Sequence, residues 1–165
     1  MRRTIAAALA LSALLVYGAS GQQPRGTSGT TEPAHIMITP DEAAWGAAPP
    51  GLPAGAELAV LEGDPSASGP FTMRAKFPDG YTIPPHFHPA DEHVTVIQGT
   101  FLMGMGETFS ESSMKALSVS SFAVMPKGSR HFAQAKGDTI VQIHGIGPWA
   151  ITYVNPSDDP RNVKK

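Results

Sequence analysis

The stretch GYTIPPHFHPADEHVTVIQG, residues 80–99, decides the fold of this 165-residue chain. It contains two histidines, His86 and His88, separated by Phe87. In an extended segment alternate side chains share a face, so both imidazoles are expected on one side and the phenyl ring on the other. Three prolines flank the pair and restrict its backbone, which lowers the entropy lost when the two rings are ordered. The spacing therefore predicts a preset pair of imidazoles.

Two further residues complete a candidate metal-binding group. Residues 89–91, Pro-Ala-Asp, predict a turn, and the β-branched run Val94–Ile97 predicts a strand that opens at Glu92. His131 lies alone, further downstream. An isolated histidine is more often a surface or hydrogen-bonded loop residue, but imidazoles grouped with a carboxylate suit divalent iron, manganese, nickel, copper or zinc. The chain has no cysteine, which argues against iron–sulfur clusters and closed cysteine–zinc sites.

The first 34 residues have the composition of a leader and a linker. Arg2 and Arg3 precede an apolar run of 12 residues, 5–16, and small residues follow it. This layout is typical of a secretory signal peptide over residues 1–21, and the run is short of the roughly 20 residues that a membrane-spanning helix needs. Residues 22–34 predict a flexible linker. We expect export to the periplasm or the medium without stable membrane insertion; an anchor is the alternative if the leader is not cleaved.

The charge balance is mildly acidic. The chain has 12 Lys and Arg against 14 Asp and Glu, and removal of the leader with its two arginines leaves 10 against 14, a formal charge of −4. There is no basic stripe, which disfavours nucleic acid as a partner. A polar tail over residues 156–165 is expected to be loose.

Residues 35–155 predict one all-β domain, because short apolar runs are separated there by Gly and Pro. Turns are expected at residues 64–65, 78–80 and 136–138. The one helical signal is residues 110–117, where Ser110 could cap one or two turns. The apolar runs are Ile36–Ile38, Glu57–Leu61, Phe71–Phe77, Val94–Ile97, Phe101–Met105, Phe122–Met125, Ile140–Ile146 and Trp149–Val154.

The pattern resembles that of the cupin superfamily. Gly80, five residues, His86-Phe87-His88, three residues, Glu92, six residues and Gly99 match the first cupin motif, and Pro126-Lys127-Gly128, two residues and His131 match the core of the second. The chain is similar to a single-domain, bacterial-type cupin over roughly residues 35–155. The resemblance implies a double-stranded β-helix, the jelly-roll barrel of two antiparallel sheets.

The resemblance also implies one divalent metal inside the barrel, held by His86, His88, Glu92 and His131. Four protein ligands leave an octahedral ion two positions for water, dioxygen or a chelating substrate. The second motif departs from the family pattern at two positions that are not ligands. Ser120 stands where glycine is usual, and Ala135 stands where asparagine is usual. These departures put the turn geometry in question.

Three more polar residues are candidates for contacts near the metal or a substrate: His93, Gln142 and His144. Adjacent strand residues face opposite ways, so Glu92 and His93 compete; the motif spacing favours Glu92 and turns His93 toward solvent or a partner subunit. His144 and Gln142 share a strand face that could line the barrel. The alternative for His144 is a core histidine satisfied by a neighbour.

Two functions from different classes are consistent with these residues. The first is an exported, metal-dependent enzyme of oxygenase type that acts on a small organic molecule. Its catalytic residues stay unknown, because Glu107, Gln142 and His144 are only weak candidates for a general acid or base. The second is a non-catalytic module that binds or senses a metal or a small ligand. Fold and ligands alone do not select between them. By resemblance, a homodimer is the expected assembly.

Overall fold

The computed structural model of the protein describes residues 35–162. The predicted signal peptide over residues 1–21, the predicted linker over residues 22–34 and the last three residues lie outside this part. The compact unit begins at His35. Across residues 35–162, no helix combines the length and the hydrophobicity that a membrane crossing requires.

The described residues form nine β-strands and four short 3-10 helices. The strands are β1 (Gly46–Ala47), β2 (Glu57–Glu62), β3 (Gly69–Phe77), β4 (Thr82–Phe87), β5 (Glu92–Met105), β6 (Lys115–Ser118), β7 (Phe122–Met125), β8 (His131–Gly147) and β9 (Thr152–Tyr153). The 3-10 helices are Pro40–Glu42, Glu111–Ser113, Pro156–Asp158 and Pro160–Asn162.

The strands pair antiparallel and curl into a jelly-roll barrel, which confirms the predicted fold class. Strand β8, of 17 residues, organises the barrel. Its first half pairs with β4, its second half pairs with β3, and β5 runs along its other edge from His93 opposite His144 to Met105 opposite His131. Strands β6 and β7 extend the sheet beyond β5.

The core lies on the inner faces of the long strands. Along β8 the buried positions alternate with less buried ones, so Ala133, Ala135, Val141 and Ile143 point inward. Strands β3 and β5 add aromatic rings to the core. The ring of Phe77 on β3 stacks on that of Phe101 on β5, with 5.7 Å between the ring centres. Burial of these side chains is the main force that closes the barrel.

One predicted turn and one predicted break between strands are absent, because glycines inside long strands resemble turn signals in sequence. Residues 136–138 lie within β8, where Gly137 has a φ of +71°. The predicted strands Val94–Ile97 and Phe101–Met105 are one strand, β5, whose pairing register shifts on both sides of Gln98. A bulge at Gly99 keeps both halves in one ladder, since glycine accepts the positive φ of +73° found there.

One other local prediction was wrong. Residues 110–117 form one 3-10 turn followed by β6, and the Ser110 side chain does not cap that turn. Within the predicted polar tail, residues 156–162 form two 3-10 turns that begin with proline, and the ion pair between Arg161 and Asp159 at 2.7 Å joins them.

The two departures from the cupin motif leave its backbone intact. Ser120 has a φ of 71°, and no other non-glycine residue in the described part has a positive φ. The serine therefore keeps the left-handed turn that glycine usually makes, at a cost in strain. Ala135 is buried, and its backbone exchanges hydrogen bonds with Gly80 and Tyr81.

Candidate metal centre

The paired histidines lie at the end of β4. His86 is within the strand and His88 follows it, and both are buried. Phe87 between them turns to the other side, where the Arg130 guanidinium lies 5.3 Å from its ring centre. The alternation expected for an extended segment therefore brings the two imidazoles together, with 5.0 Å between their ring centres.

Neighbouring strands bring His131 and Glu92 to the same place. His131 opens β8 directly opposite His86 of β4, and their ring centres are 4.2 Å apart. One ring nitrogen from each of His86, His88 and His131 lies within 4.8 Å of the other two. Glu92 opens β5 and points inward, with Oε2 3.5 Å from His88 Nε2 and 3.3 Å from His131 Nε2. All four side chains predicted as ligands thus converge in the barrel interior.

Backbone carbonyls fix the orientation of all three rings. Nδ1 of His86 lies 2.7 Å from the Pro84 carbonyl oxygen, and Nδ1 of His88 lies 2.8 Å from that of Ala150. His131 is held in the same way by a carbonyl two residues before it, at 3.0 Å. A carbonyl oxygen can only accept, so each Nδ1 carries a hydrogen and donates it. Each neutral ring then directs the lone pair of Nε2 into the site, as metal-binding histidines require.

Burial and charge in this group favour a bound cation. Burial, reinforced by the neighbouring imidazoles, lowers the pKa of His86 to about 3, and burial also lowers the pKa of His88. Burial raises the pKa of Glu92, but its close contacts with the His131 and His88 rings outweigh burial, so the pKa is lowered overall. A buried carboxylate therefore lies beside His86 and His88, two imidazoles whose uncharged form burial favours. Such a charge needs a partner.

A buried nitrogen of His88 that lacks a hydrogen-bond partner in the described part of the chain supports the presence of a metal ion. His88 Nε2 is buried and has no hydrogen-bond partner among the described residues. Leaving a buried ring nitrogen unpaired is costly, and a cation held by Nε2 atoms and a carboxylate oxygen would remove that cost. His86, His88, Glu92 and His131 fit one divalent transition metal ion.

A loop after β8, not identified from the sequence as part of the site, positions His88. The Trp149 indole stacks on the His88 imidazole, with ring centres 4.3 Å apart and planes 17° apart, and the next residue supplies the carbonyl that accepts from His88. Arg161 donates to the Ile151 carbonyl of the same loop at 3.2 Å. The tryptophan was visible in the sequence, but only the fold shows which histidine it covers.

The four side chains line an interior cavity of about 840 Å³. Its other inner walls are almost wholly apolar, from strands β2, β3, β5 and β8. Exposed residues of the segments 44–50, 64–66 and 149–151 border it, so its opening lies among these segments. A cavity of this size takes a small organic molecule.

The structure answers the choice between Glu92 and His93 and corrects the placement of Gln142 and His144. Glu92 lines the cavity, whereas His93 lies on the outer face of the sheet. His144 stands directly opposite His93 on that face, with ring centres 5.0 Å apart. Gln142 is also on the outer face, within 3.3 Å of Arg74. The expectation that His144 and Gln142 could line the barrel was wrong, because inward positions of β8 are odd-numbered.

Glu107, a weak candidate for acid–base chemistry, is also outside the cavity. Its side chain is 63% exposed and pairs with Arg130 at 2.7 Å.

The family model described as "Domain of unknown function (DUF4437)" matches residues 36–161. The chain belongs to this family. A curated relative of this DUF4437 protein is germin-like protein 5-1 of Oryza sativa subsp. japonica, 39% identical over 67 residues. That match covers 40% of this chain and 30% of the relative, so the chain spans less than a third of the relative's length.

Solved structures show that the DUF4437 chain has the cupin fold. A putative acetylacetone dioxygenase from Methylibium petroleiphilum PM1 is similar with a TM-score of 0.59 at 17% identity, covering 79% of this chain and 88% of that one. An RmlC-like cupin from Shewanella frigidimarina NCIMB 400 is similar with a TM-score of 0.53 at 13% identity, covering 68% and 91%. At these identities the likeness shows the fold alone, and the predicted cupin fold is confirmed.

Proposed function

We propose that this protein is a metal-dependent cupin enzyme that holds one divalent transition metal with His86, His88, Glu92 and His131 and transforms a small organic molecule. The single observation that supports this best is the arrangement of the three imidazoles. Each donates Nδ1–H to a backbone carbonyl, and Nε2 of His88 and of His131 lies within 3.5 Å of the buried Glu92 carboxylate.

Oxygenase-type chemistry is the reaction class that we favour. The bound metal would polarise a substrate oxygen and, if it is iron, bring oxygen chemistry to the site. The chain itself offers little else: among the described residues that line the inner cavity, the ionisable side chains are the four ligands, with Asp64 and Arg161 at the rim. A hydrolase or an isomerase would need a proton-transfer group near the substrate. The chain's own contribution is to orient the ligands and keep water away from an apolar substrate.

The test compares oxygen consumption by the purified protein loaded with iron, manganese or zinc, using a panel of small uncharged metabolites. We expect turnover with iron or manganese and none with zinc. A Glu92→Gln variant serves as the control, because it keeps the shape of the side chain and removes its charge. Consistent inactivity of the iron and manganese forms, with metal bound, would favour the alternative function, a non-catalytic metal or small-ligand binding or sensor module.

We also propose that the enzyme is exported to the periplasm or the medium. The support is the leader pattern of residues 1–21, and mass spectrometry of the protein from its host, which would show a start near residue 22, tests it. A homodimer is likewise a proposal, which a molecular-mass measurement in solution tests.

A further inference from the structure

The charge of the metal centre and the charges of the cavity wall limit the ligands that fit. We propose that the cavity takes an uncharged, largely hydrocarbon molecule that chelates the metal through one ionisable oxygen and one neutral oxygen, as in an enol, a phenol or a hydroxamic acid. This ligand class rests on the proposed metal-dependent function.

The net charge of the metal-bound centre limits the charge of its ligand. A divalent ion with three neutral imidazoles and the Glu92 carboxylate carries a net charge of +1. A ligand that loses one proton on binding brings the buried centre to zero. A dianion, such as a dicarboxylate, would leave a charge of −1 in an apolar interior, which requires a cationic partner.

The cavity offers no free cation for such a dianion. Among the described residues that line it, Arg161 is the single Lys or Arg. Its guanidinium already donates to both carboxylate oxygens of Asp159, each at 2.7 Å, and to the Ile151 carbonyl oxygen. Asp64, an exposed acid at the rim, adds negative charge, since hydrogen bonds from Ser66 lower its pKa. An approaching anion therefore meets one acid, Asp64, and one arginine whose charge Asp159 already neutralises.

The inner wall matches a hydrocarbon body. Apart from the metal ligands, the inner wall of the cavity is lined by side chains such as Met73, Phe77, Ile83, Phe101 and Met103. These groups offer dispersion contacts but no hydrogen bonds, so they favour a ring or an alkyl chain over a polyol or a charged tail.

Three hydroxamic acids with the same chelating group test this ligand class on the full-length protein loaded with zinc. Zinc content is measured first, and binding is then measured by calorimetry, with zinc retention checked afterwards. We expect benzohydroxamic acid to bind tightest. 4-Carboxybenzohydroxamic acid should bind at least ~10-fold more weakly, because its carboxylate has no partner. Acetohydroxamic acid should also bind at least ~10-fold more weakly, because it lacks the ring.

A matched pair of substitutions tests whether the cavity wall causes the preference against the carboxylated acid. Met103 lines the cavity on β5, whereas Met105, two residues along, is 59% exposed outside it. Met103→Lys places a cation in the wall and should narrow or reverse the preference against the carboxylated acid; Met105→Lys should leave the wild-type order. If Met103→Lys does not fold, the wild-type comparison decides alone.

Two further outcomes distinguish failure of the ligand class from failure of the metal site. Zinc retained at one per chain with equal or tighter binding of the carboxylated acid, or with no binding of any of the three acids, overturns the ligand class and leaves the metal site standing. Failure of the wild-type protein to hold zinc contradicts the proposed function itself.

Discussion

Acidification should destabilise the metal-free protein before any carboxylate is protonated. Burial lowers the pKa of His86 to about 3, whereas the unfolded chain has a histidine pKa near 6.5. Below pH 6.5 the His86 imidazole binds a proton in the unfolded state but stays neutral in the folded state. The free energy of unfolding therefore falls with decreasing pH until about pH 3. Between pH 7 and pH 5 this single group accounts for a loss of about 2 kcal/mol. His88, whose pKa is also lowered, acts in the same direction.

The assay is urea unfolding with a chelator present, at pH 7 and at pH 5, for the wild type and for His86→Phe. The variant replaces the imidazole with an apolar ring that does not titrate, so its stability should fall by about 2 kcal/mol less over this interval. His35→Phe is the control, because His35 is exposed and keeps similar surroundings in both states. Equal pH dependence in the wild type and His86→Phe would refute the reasoning that His86 is buried as a neutral base.

Three further predictions concern packing, strain and the carboxylate. Gly104→Ala should cost about 1–3 kcal/mol of unfolding free energy, because its Cβ would lie 2.2 Å from the Phe132 ring; Gly46→Ala, with nothing within 4 Å, is the control, and equal denaturation midpoints would contradict this. Ser120→Gly should add about 0.5–1 kcal/mol in the same assay by relieving the positive φ, and a loss of stability would count against strain there. Glu92→Gln should weaken zinc binding about 100-fold in a chelator competition, since the buried carboxylate balances the ion's charge; unchanged affinity would remove Glu92 from the site.

Much of the candidate site could be predicted from sequence because its ligands lie close together in the chain. An extended segment fixes the relation of His86 to His88, and the motif spacing turns Glu92 inward, so the local geometry is nearly determined by residues 86–92. His131 needed the resemblance, since only strand pairing brings β8 opposite β4.

The outer placement of His144 was within reach of the sequence but was missed. His131 and His144 are 144 − 131 = 13 positions apart, an odd number, so on one continuous strand they face opposite ways. Gly137 conceals this relation, because Lys-Gly-Asp is a common turn signal and predicts the end of a strand. The contacts of Trp149 and Arg161 with the site depend on tertiary packing of loops, which no local pattern encodes.

Metal content per chain tests the central claim most directly. We expect one divalent ion per wild-type chain by elemental analysis after dialysis, and none in the double variant His86→Ala and His131→Ala, whose circular dichroism should remain that of a β-barrel. The double variant His93→Ala and His144→Ala removes the two outer-face histidines and should keep the ion. A full equivalent of metal in the interior double variant, or its loss from the outer-face variant alone, would contradict the account of a metal held inside the barrel.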